Sequence, residues 1–207
     1  MPTADRRTRI ADAAVAAIAA NGLRALTHRA LDTALGLPAG SVSYYFRTRD
    51  ALLTAVAERI TERSRADFEN SGMRRADART PERRDETTAS PATETVAREI
   101  AEWLDRLLVE RRDDLLARHA LILDGGTAPE VRDRLADSLF SVERARELLA
   151  SWGIEHEDAA EDLVAVLEGA VFDRFAGRRR GRRPGTAASV TQLTGLVTGY
   201  LRGVRGH

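Results

Sequence analysis

The sequence predicts an all-α protein of about nine helices, organised as a small N-terminal head and a larger helical body. In most segments between residues 10 and 204, apolar residues recur every three or four positions, which is the spacing of an amphipathic helix. No segment alternates apolar and polar residues in the way that a half-buried strand does. At 207 residues, 43% of them hydrophobic, the chain is long enough to bury a sizeable core.

Basic residues are concentrated at the N-terminus, although 32 basic residues balance 32 acidic ones over the whole chain. Residues 1–49 hold seven arginines and three aspartates, which gives +4. The remainder then holds 25 basic and 29 acidic residues, which gives −4. A basic head on an acidic body is the distribution expected when the head binds nucleic acid and the body has another role.

The composition argues against an enzyme. The chain has no cysteine, so it has no disulfide framework, thiolate nucleophile or cysteine-based zinc site. The histidines are scattered, and neither they nor the acidic residues have the spacing of a metal site. The glycines at 177, 181 and 185 follow no strand and fit no nucleotide fingerprint. We therefore expect no metal, no cofactor and no catalytic residues.

Residues 4–20 are predicted to form the first helix. One of its faces carries Ile10, Ala13, Ala14, Ala17 and Ile18. The arginine-rich start could be taken for a signal peptide, but Asp12 interrupts the apolar run and Asn21-Gly22 is typical of a helix end. No apolar run approaches the length of about 18 residues that a membrane span requires. We expect a soluble cytoplasmic protein.

The stretch from Leu26 to Leu53 is predicted to form two short helices joined by a tight turn, followed by a third helix. Thr27 is a good N-cap for the first of these helices, and Gly36 stands where a left-handed residue would end it. The second helix is predicted from about Pro38 to Tyr45, which is too short to be stable alone.

Packing must therefore hold the second helix, and we expect Val42 and Phe46 to be its anchors in the core. Thr48 and Asp50 open a long third helix that is predicted to continue to about Phe68. A short helix held against a scaffold after a tight turn is the helix-turn-helix arrangement, which lays its second helix in the DNA major groove.

A Gly-Ser-x-x-x-Tyr-Phe-x-x-Arg-Asp continuation runs from Gly40 to Asp50. The residues that define the pattern are Thr27, Leu31, Gly36, Gly40, Ser41, Val42, Tyr45, Phe46, Arg49, Asp50 and Leu53. Together they resemble the signature of the TetR family of bacterial transcriptional regulators. The sequence departs from that signature at Asp32, where a small apolar residue is usual, at Pro38, where Ser is frequent, and at Ser43, where Tyr is common.

The helix-turn-helix supplies the candidates for DNA contact. Thr27 offers a hydroxyl at a helix N-terminus for a phosphate, and the resemblance implies backbone contacts for Tyr45 and Arg49, with Arg47 as an addition. The base-facing candidates are Ala39, Ser41, Ser43 and Tyr44. Arg29 can recognise guanine or bind a phosphate, and Tyr45 can alternatively serve packing alone.

We place the boundary between a DNA-binding domain and the body after residue 49, so that the body spans residues 50–207. Residues 70–93 are almost devoid of apolar side chains and contain two prolines, which predicts a flexible loop, with an ordered polar excursion as the alternative. Helices are predicted over residues 95–112, 115–123, 129–153 and 157–176, and a last helix carries residues 190–204. The arginines of residues 178–183 form either an anion patch or a solvated turn.

The resemblance implies two roles for the body. The last two helices would form a four-helix bundle with a second copy of the chain, and Gly169, Gly195 and Gly199 would let these helices approach closely. The alternative is that their apolar faces only complete the core of the monomer. The middle helices, residues 95–152, would enclose a small-molecule effector. The candidate lining residues are Trp103, Leu107, His119, Phe140, Trp152 and Phe172. Each could instead be an ordinary core residue.

The sequence therefore predicts a sequence-specific transcriptional regulator. We expect a repressor that binds a palindromic operator as a homodimer and is released by an unknown small-molecule effector. An enzyme is a second hypothesis, and it lacks a catalytic constellation. A third is a helical interaction protein whose head binds another protein. That protein would show no salt-dependent affinity for DNA, whereas a regulator would.

Overall fold

A computed structural model describes residues 3–70, 91–156 and 158–205 and shows them as an all-helical chain. Ten α-helices and one short 3-10 turn, Leu23–Ala25, lie in these ranges, which contain no strand. The helices are α1 Thr3–Asn21, α2 His28–Ala34, α3 Ser41–Tyr45, α4 Arg49–Asn70, α5 Pro91–Glu110, α6 Arg112–Leu123, α7 Pro129–Ala136, α8 Val142–Ala150, α9 Ala159–Phe175 and α10 Ala187–Arg205. The predicted all-α class is confirmed.

The helix predicted over residues 129–153 is instead two helices, α7 and α8, so this prediction was wrong. Ser141 caps α8, because its hydroxyl oxygen accepts a hydrogen bond from the amide three residues later at 3.3 Å. The buried Arg118 of α6 donates to the carbonyls of the last two residues of α7, at 2.7 and 3.0 Å. The cap of α8 and the arginine donors at the last carbonyls of α7 together terminate α7, although the apolar spacing continues across the break.

Helix α5 begins at Pro91, before the predicted start at residue 95, and α4 ends at Asn70. Proline at the first helical position needs no hydrogen-bond partner for its nitrogen, which explains the early start. Both ends of the loop predicted over residues 70–93 are therefore helical, namely residue 70 and residues 91–93. Residues 71–90 of that prediction lie outside the described residues.

The first compact unit, unit 1, comprises residues 1–66 and 112–139. It holds α1 to α3, most of α4, α6 and α7, and α1 packs against α6. Its buried core side chains include Ile10, Ile18, Leu26, Leu31, Val42, Phe46, Leu52, Ile60, Leu121 and Leu135. The head therefore shares one core with α6 and α7.

Ion pairs join α1, α4 and α6 within unit 1. Arg63 on α4 lies between Asp12 of α1, at 2.6 Å, and Asp114 of α6, at 3.1 Å. Arg59 donates to Asp12 at 2.8 Å, and this hydrogen bond raises the pKa of Arg59. Asp114 is buried, and a buried charge is tolerated only with such partners. The network therefore fixes the positions of the three helices relative to one another.

The second compact unit, unit 2, comprises residues 67–111 and 140–207 and holds α5, α8, α9 and α10. Helix α10 lies along α5, and α9 packs against α8 and α10. The buried residues of these helices include Ile100, Leu104, Leu108, Leu149, Leu163, Val171, Leu193, Val197 and Leu201. Across the parts of the chain that the structure describes, no helix is both long and apolar enough to cross a membrane.

Replacing Arg118 by alanine should destabilise unit 1. The side chain is 2% exposed, and its loss removes the arginine donor from the carbonyls of Leu135 and Ala136. The carbonyl of Leu135 keeps the hydroxyl of Ser138 as a donor at 2.7 Å, so the cost is that of one unsatisfied carbonyl, about 1–3 kcal/mol. The thermal midpoint of the full-length protein, followed by circular dichroism, should fall by about 2–4 °C for each kcal/mol lost. The exposed Arg65 of α4 provides the control Arg65→Ala, which should melt like the wild type. Equal midpoints for all three proteins would contradict the assignment.

Candidate DNA-binding interface

The helix-turn-helix is built from α2, α3 and the turn between them. Thr27 caps α2, since its side-chain oxygen accepts from the amide of Ala30 at 3.1 Å, so the predicted cap is confirmed. Gly36 adopts a left-handed conformation with φ of +63°, also as predicted. Helix α3 begins at Ser41 and not near Pro38, because Gly40 lies at φ of +87°, outside the helical region.

A buried carboxylate holds the beginning of α3. Asp32 of α2 is 4% exposed, and its two oxygens accept hydrogen bonds from the amides of Gly40 and Val42, both at 2.8 Å. Sequence reasoning noted Asp32 only as a departure from the family signature and missed this role. The available signal was a charged residue on the apolar side of α2, next to the buried Leu31.

Two basic side chains hold the end of α3. Arg7 of α1 donates to the carbonyl of Tyr45 at 2.9 Å, and its guanidinium lies 4.5 Å from the centre of the Phe46 ring. His28 of α2 donates through Nε2 to the carbonyl of Phe46 at 2.8 Å. Donors at this end satisfy carbonyls that the helix itself leaves unpaired. Sequence reasoning counted Arg7 only as a charge.

Arg49 is engaged within unit 1. Its guanidinium donates to the carbonyl of Leu26 at 2.6 Å and to that of Leu23 at 2.8 Å. These contacts tie the first turn of α4 to the segment that leads into α2. The family position predicted a phosphate contact for Arg49, and only the N–H groups outside these two bonds could make one.

The other predicted DNA-contact residues lie at the start of α2 or on and beside α3. Val42 and Phe46 point into the core, at 0% and 1% exposure, as predicted. Besides Arg49, six of the candidates are exposed, namely Thr27, Arg29, Ala39, Ser43, Tyr44 and Arg47. Tyr44 is 79% exposed, and its ring meets the half-buried ring of Tyr45 edge-on at 5.2 Å between centroids. The structure thus brings an outward-facing aromatic side chain and polar side chains together on one short helix.

Ser41 is half-buried and has its hydroxyl proton committed. Its Oγ donates to the carbonyl of Pro38 at 2.6 Å, so only oxygen lone pairs remain for another partner. If Ser41 meets a base edge, that partner must be a donor such as the amino group of adenine or cytosine.

The predicted effector-lining residues are placed in several parts of the chain. Trp103 and Phe140, both buried in unit 2, meet edge-on with ring centroids 5.5 Å apart, and Phe68 lies on Trp103 at 6.3 Å. Leu107 is buried one turn further along α5. Within the described residues, the buried indole N–H of Trp103 has no hydrogen-bond acceptor.

The remaining three candidates are not brought to this aromatic cluster. Trp152 is half-buried with the guanidinium of Arg205 at 6.0 Å from its ring, and Phe172 is 42% exposed on α9. His119 belongs to unit 1 and is hydrogen-bonded to the carbonyl of Leu115 at 2.7 Å. A separate open cavity of about 410 Å³ in unit 2 contains none of the six. Its lining is Arg146, Leu149, Ala150, Ile154, Glu155, His156 and Ala160.

The arginine-rich turn before α10 follows a buried arginine. Arg174 is 5% exposed and donates to Ser189 at 2.8 Å and Gln192 at 2.7 Å, and burial lowers the pKa of Arg174. Arg179 of the turn pairs with Asp173 at 2.8 Å. Arg178 to Arg180 and the pair Arg182-Arg183 are exposed. In the described ranges, no group of three or more histidine and acidic side chains is placed to hold a metal ion.

Comparison with known families identifies the chain. Residues 10–56 match the family model for bacterial regulatory proteins of the tetR family, and residues 91–199 match the model for a tetracyclin repressor-like C-terminal domain. The second match alone spans more than half of the 207 residues. The chain belongs to the TetR family. Members of this family are DNA-binding transcriptional regulators and not enzymes, so the predicted class is confirmed.

Solved structures of TetR-family type share the fold. A TetR-family member from Streptomyces coelicolor A3 is 22% identical and has a TM-score of 0.65, with 94% of this chain and 98% of that chain covered. The multidrug-binding protein EbrR with imidazole is 26% identical, with a TM-score of 0.56 and coverage of 92% and 94%. EbrR with ethidium is 24% identical, with a TM-score of 0.62 and coverage of 94% and 99%. No protein of curated function matches the chain.

Removing Arg49 should destabilise this regulator even without DNA. Arg49→Ala removes the guanidinium donor from the carbonyls of Leu23 and Leu26, of which Leu23 keeps the amide of Leu26 as a donor at 3.2 Å. Lys cannot bridge both carbonyls, so either variant should lose about 1–3 kcal/mol of unfolding free energy. Urea unfolding of the free protein measures this loss. Arg47→Ala, which removes an exposed guanidinium two residues earlier, should unfold like the wild type. Identical midpoints for the Arg49 and Arg47 variants would show that the two contacts contribute no stability.

Proposed function

We propose that this TetR-family regulator is a repressor that binds a palindromic operator as a homodimer and leaves it when a small-molecule effector binds. The observation that carries the proposal is α3, a short helix fixed at both ends with Ser43 and Tyr44 exposed on it. A fixed, exposed helix at the surface of a basic head is what major-groove reading requires. Such a protein would act in the cytoplasm, where bacterial DNA lies.

We assign the DNA contacts by position. Thr27, Tyr45, Arg47 and the free N–H groups of Arg49 would bind phosphates, which supply affinity but little sequence choice. Ala39, Ser41, Ser43 and Tyr44 would face base edges. Arg29 lies exposed on α2 and would bind either a guanine or a phosphate. We keep residues 1–49 as the DNA-binding domain and residues 50–207 as the effector-binding and dimerisation domain.

The outer faces of α9 and α10 support a dimer. Phe172 on α9 and Leu196 on α10 are exposed at 42% and 37%. A Cβ added to Gly169, Gly195 or Gly199 would meet no other atom of the described chain within 4 Å. Each glycine inside a helix costs about 1 kcal/mol relative to alanine, so these positions favour close approach by a helix from outside the chain. Two heads would then read half-sites about 34–36 Å apart.

Effector binding is proposed for unit 2 by analogy. EbrR, which is 26% identical, is described as a multidrug-binding protein and was crystallised with imidazole. Trp103, Leu107 and Phe140 are the best-placed candidates for a ligand with an apolar body and a hydrogen-bond acceptor, because the indole N–H of Trp103 has no acceptor among the described residues. Trp152, Phe172 and His119 remain candidates with weaker support.

Selection of bound sequences from random duplex DNA by the full-length protein tests the proposal. Recovery of a palindrome is expected, together with an affinity that falls steeply with salt as counterions are released. Arg47→Ala should weaken binding to all sequences and lower the salt slope by about 1. Tyr44→Ala should relax the choice at one base pair, which corresponds to about 1–3 kcal/mol. Absence of both sequence choice and salt dependence would favour the protein-interaction hypothesis.

Placing a charge on the exposed face of α10 should separate the proposed dimer. Leu196→Glu would bury a carboxylate between the two copies, and sedimentation velocity should then report a monomer with weakened operator binding. The control is Leu123→Glu, because Leu123 is 71% exposed at the end of α6 and belongs to unit 1, whereas α10 belongs to unit 2. A monomeric wild type, or an unchanged mass for Leu196→Glu, would contradict dimerisation through α10.

A further inference from the structure

We propose that Asp32 is a positioning residue for DNA reading: its carboxylate fixes α3 on α2 and so sets how well the regulator distinguishes its operator from other DNA. The inference rests on the proposed function, because it requires an operator. It concerns a residue that would touch no base and no phosphate.

One carboxylate makes both contacts at the beginning of α3. Its Oδ2 accepts from the amide of Gly40 and its Oδ1 from the amide of Val42, each at 2.8 Å. Two bonds from one planar group restrict rotation of the short helix about its axis as well as its translation along α2. A single bond would restrict that rotation less, although Val42 and Phe46 still hold the helix on the core.

Within the described residues, the N-cap residue of the short helix supplies no side-chain cap, and the first amide, that of Ser41, is bonded to the carbonyl of Pro38 at 3.1 Å. Gly40 occupies the N-cap position at φ of +87°, where it has no side chain to accept a hydrogen bond from the helix amides. A serine or aspartate at that position would have to adopt a left-handed backbone, which L-residues rarely do. The cap of α3 is therefore the carboxylate of Asp32 on α2, and the same carboxylate also attaches α3 to α2.

Rotation of α3 matters more for bases than for phosphates. Hydrogen bonds to base edges tolerate displacements of only a few tenths of an ångström, and the exposed side chains of Ser43 and Tyr44 project from α3 itself. Of the proposed phosphate contacts only Tyr45 lies on α3, whereas Thr27, Arg47 and Arg49 lie outside it. A phosphate attracts a guanidinium over a wide range of geometries. Loss of the carboxylate should therefore weaken operator binding and spare sequence-neutral binding.

A purely structural role for Asp32 would predict a different result. A less stable protein that still folds would retain the ratio of operator affinity to non-specific affinity. In the proposed role that ratio falls even at a temperature where the variant is fully folded. The ratio, and not the affinity alone, is therefore the quantity to measure.

The experiment uses full-length Asp32→Asn and Asp32→Ala, with the operator selected by the wild type and a scrambled duplex of the same length. Asparagine keeps one acceptor oxygen and places an NH2 donor where the second carboxylate oxygen accepts from a backbone amide, so Asp32→Asn breaks one of the two bonds with almost no change in volume. We expect operator affinity to fall at least about tenfold in both variants, while affinity for the scrambled duplex stays within about twofold. The salt dependence of operator binding should approach that of the scrambled duplex. The control is Asp137→Asn, which makes the same charge change at an exposed position of unit 1. It should leave the ratio of operator affinity to scrambled-duplex affinity unchanged.

An unchanged ratio in a folded Asp32→Asn would overturn the proposal. A second measurement needs no variant: in the wild-type protein, the amides of Gly40 and Val42 should be protected from hydrogen exchange, and rapid exchange of both would also overturn it. Failure of the proposed function is recognised separately. In that case the wild type selects no sequence, and the exchange measurement still reports whether the carboxylate holds α3.

Discussion

A five-residue helix has too few internal hydrogen bonds to keep its shape in water, and unit 1 is arranged around this constraint. The core holds the middle of α3 through Val42 and the residue that follows its end through Phe46. Side chains from outside α3 hold its two ends, Asp32 at the beginning and Arg7 with His28 at the end. The negative carboxylate of Asp32 at the N-terminus of α3 and the positive guanidinium of Arg7 at its C-terminus also match the polarity of the helix dipole. The order of α3 is thus supplied almost wholly by its neighbours.

Those neighbours are themselves fixed by the rest of unit 1. Helix α1, which carries Arg7, packs against α6 and is linked to α4 through the ion pairs of Asp12 with Arg59 and Arg63. Arg63 continues the link to Asp114 on α6. The position of the reading helix therefore depends on residues far along the chain. The head of this regulator therefore has no separate core: the core that stabilises it also includes residues of α6 and α7.

Local signals predicted the helix-turn-helix because they reside in single residues. A threonine cap, Thr27, and a left-handed glycine, Gly36, act within one helical turn, and a sequence displays them directly. The contacts of Asp32, Arg49 and Arg118 join segments separated by eight or more residues, and no local pattern records which carbonyl or amide a charged side chain will meet. The break between α7 and α8 was missed for a related reason, since residues 137–141 contain neither glycine nor proline.

Effector-lining residues were the least predictable part of the site. An aromatic residue at helical spacing has the same sequence pattern whether it fills a core or faces a cavity. Trp103, Phe140 and Phe172 therefore looked alike in the sequence, yet the first two are buried in contact and the third is largely exposed on another helix. The feature that separates a candidate ligand contact from ordinary packing is the indole N–H of Trp103, which has no acceptor in the part of the chain that the structure describes, and that feature requires coordinates.

The two bonds from Arg49 to the carbonyls of Leu23 and Leu26 make the junction of α4 and the head stiff. Helix α4 has 22 residues and is therefore a rod about 33 Å long. Because the junction at Arg49 is stiff, a sideways shift of about 2 Å at the C-terminal end of α4 corresponds to a tilt of about 3.5° of the helix and of the segment bonded to Arg49. A small displacement of α4 would therefore change the angle of the helix-turn-helix and would not be taken up by bending at the junction.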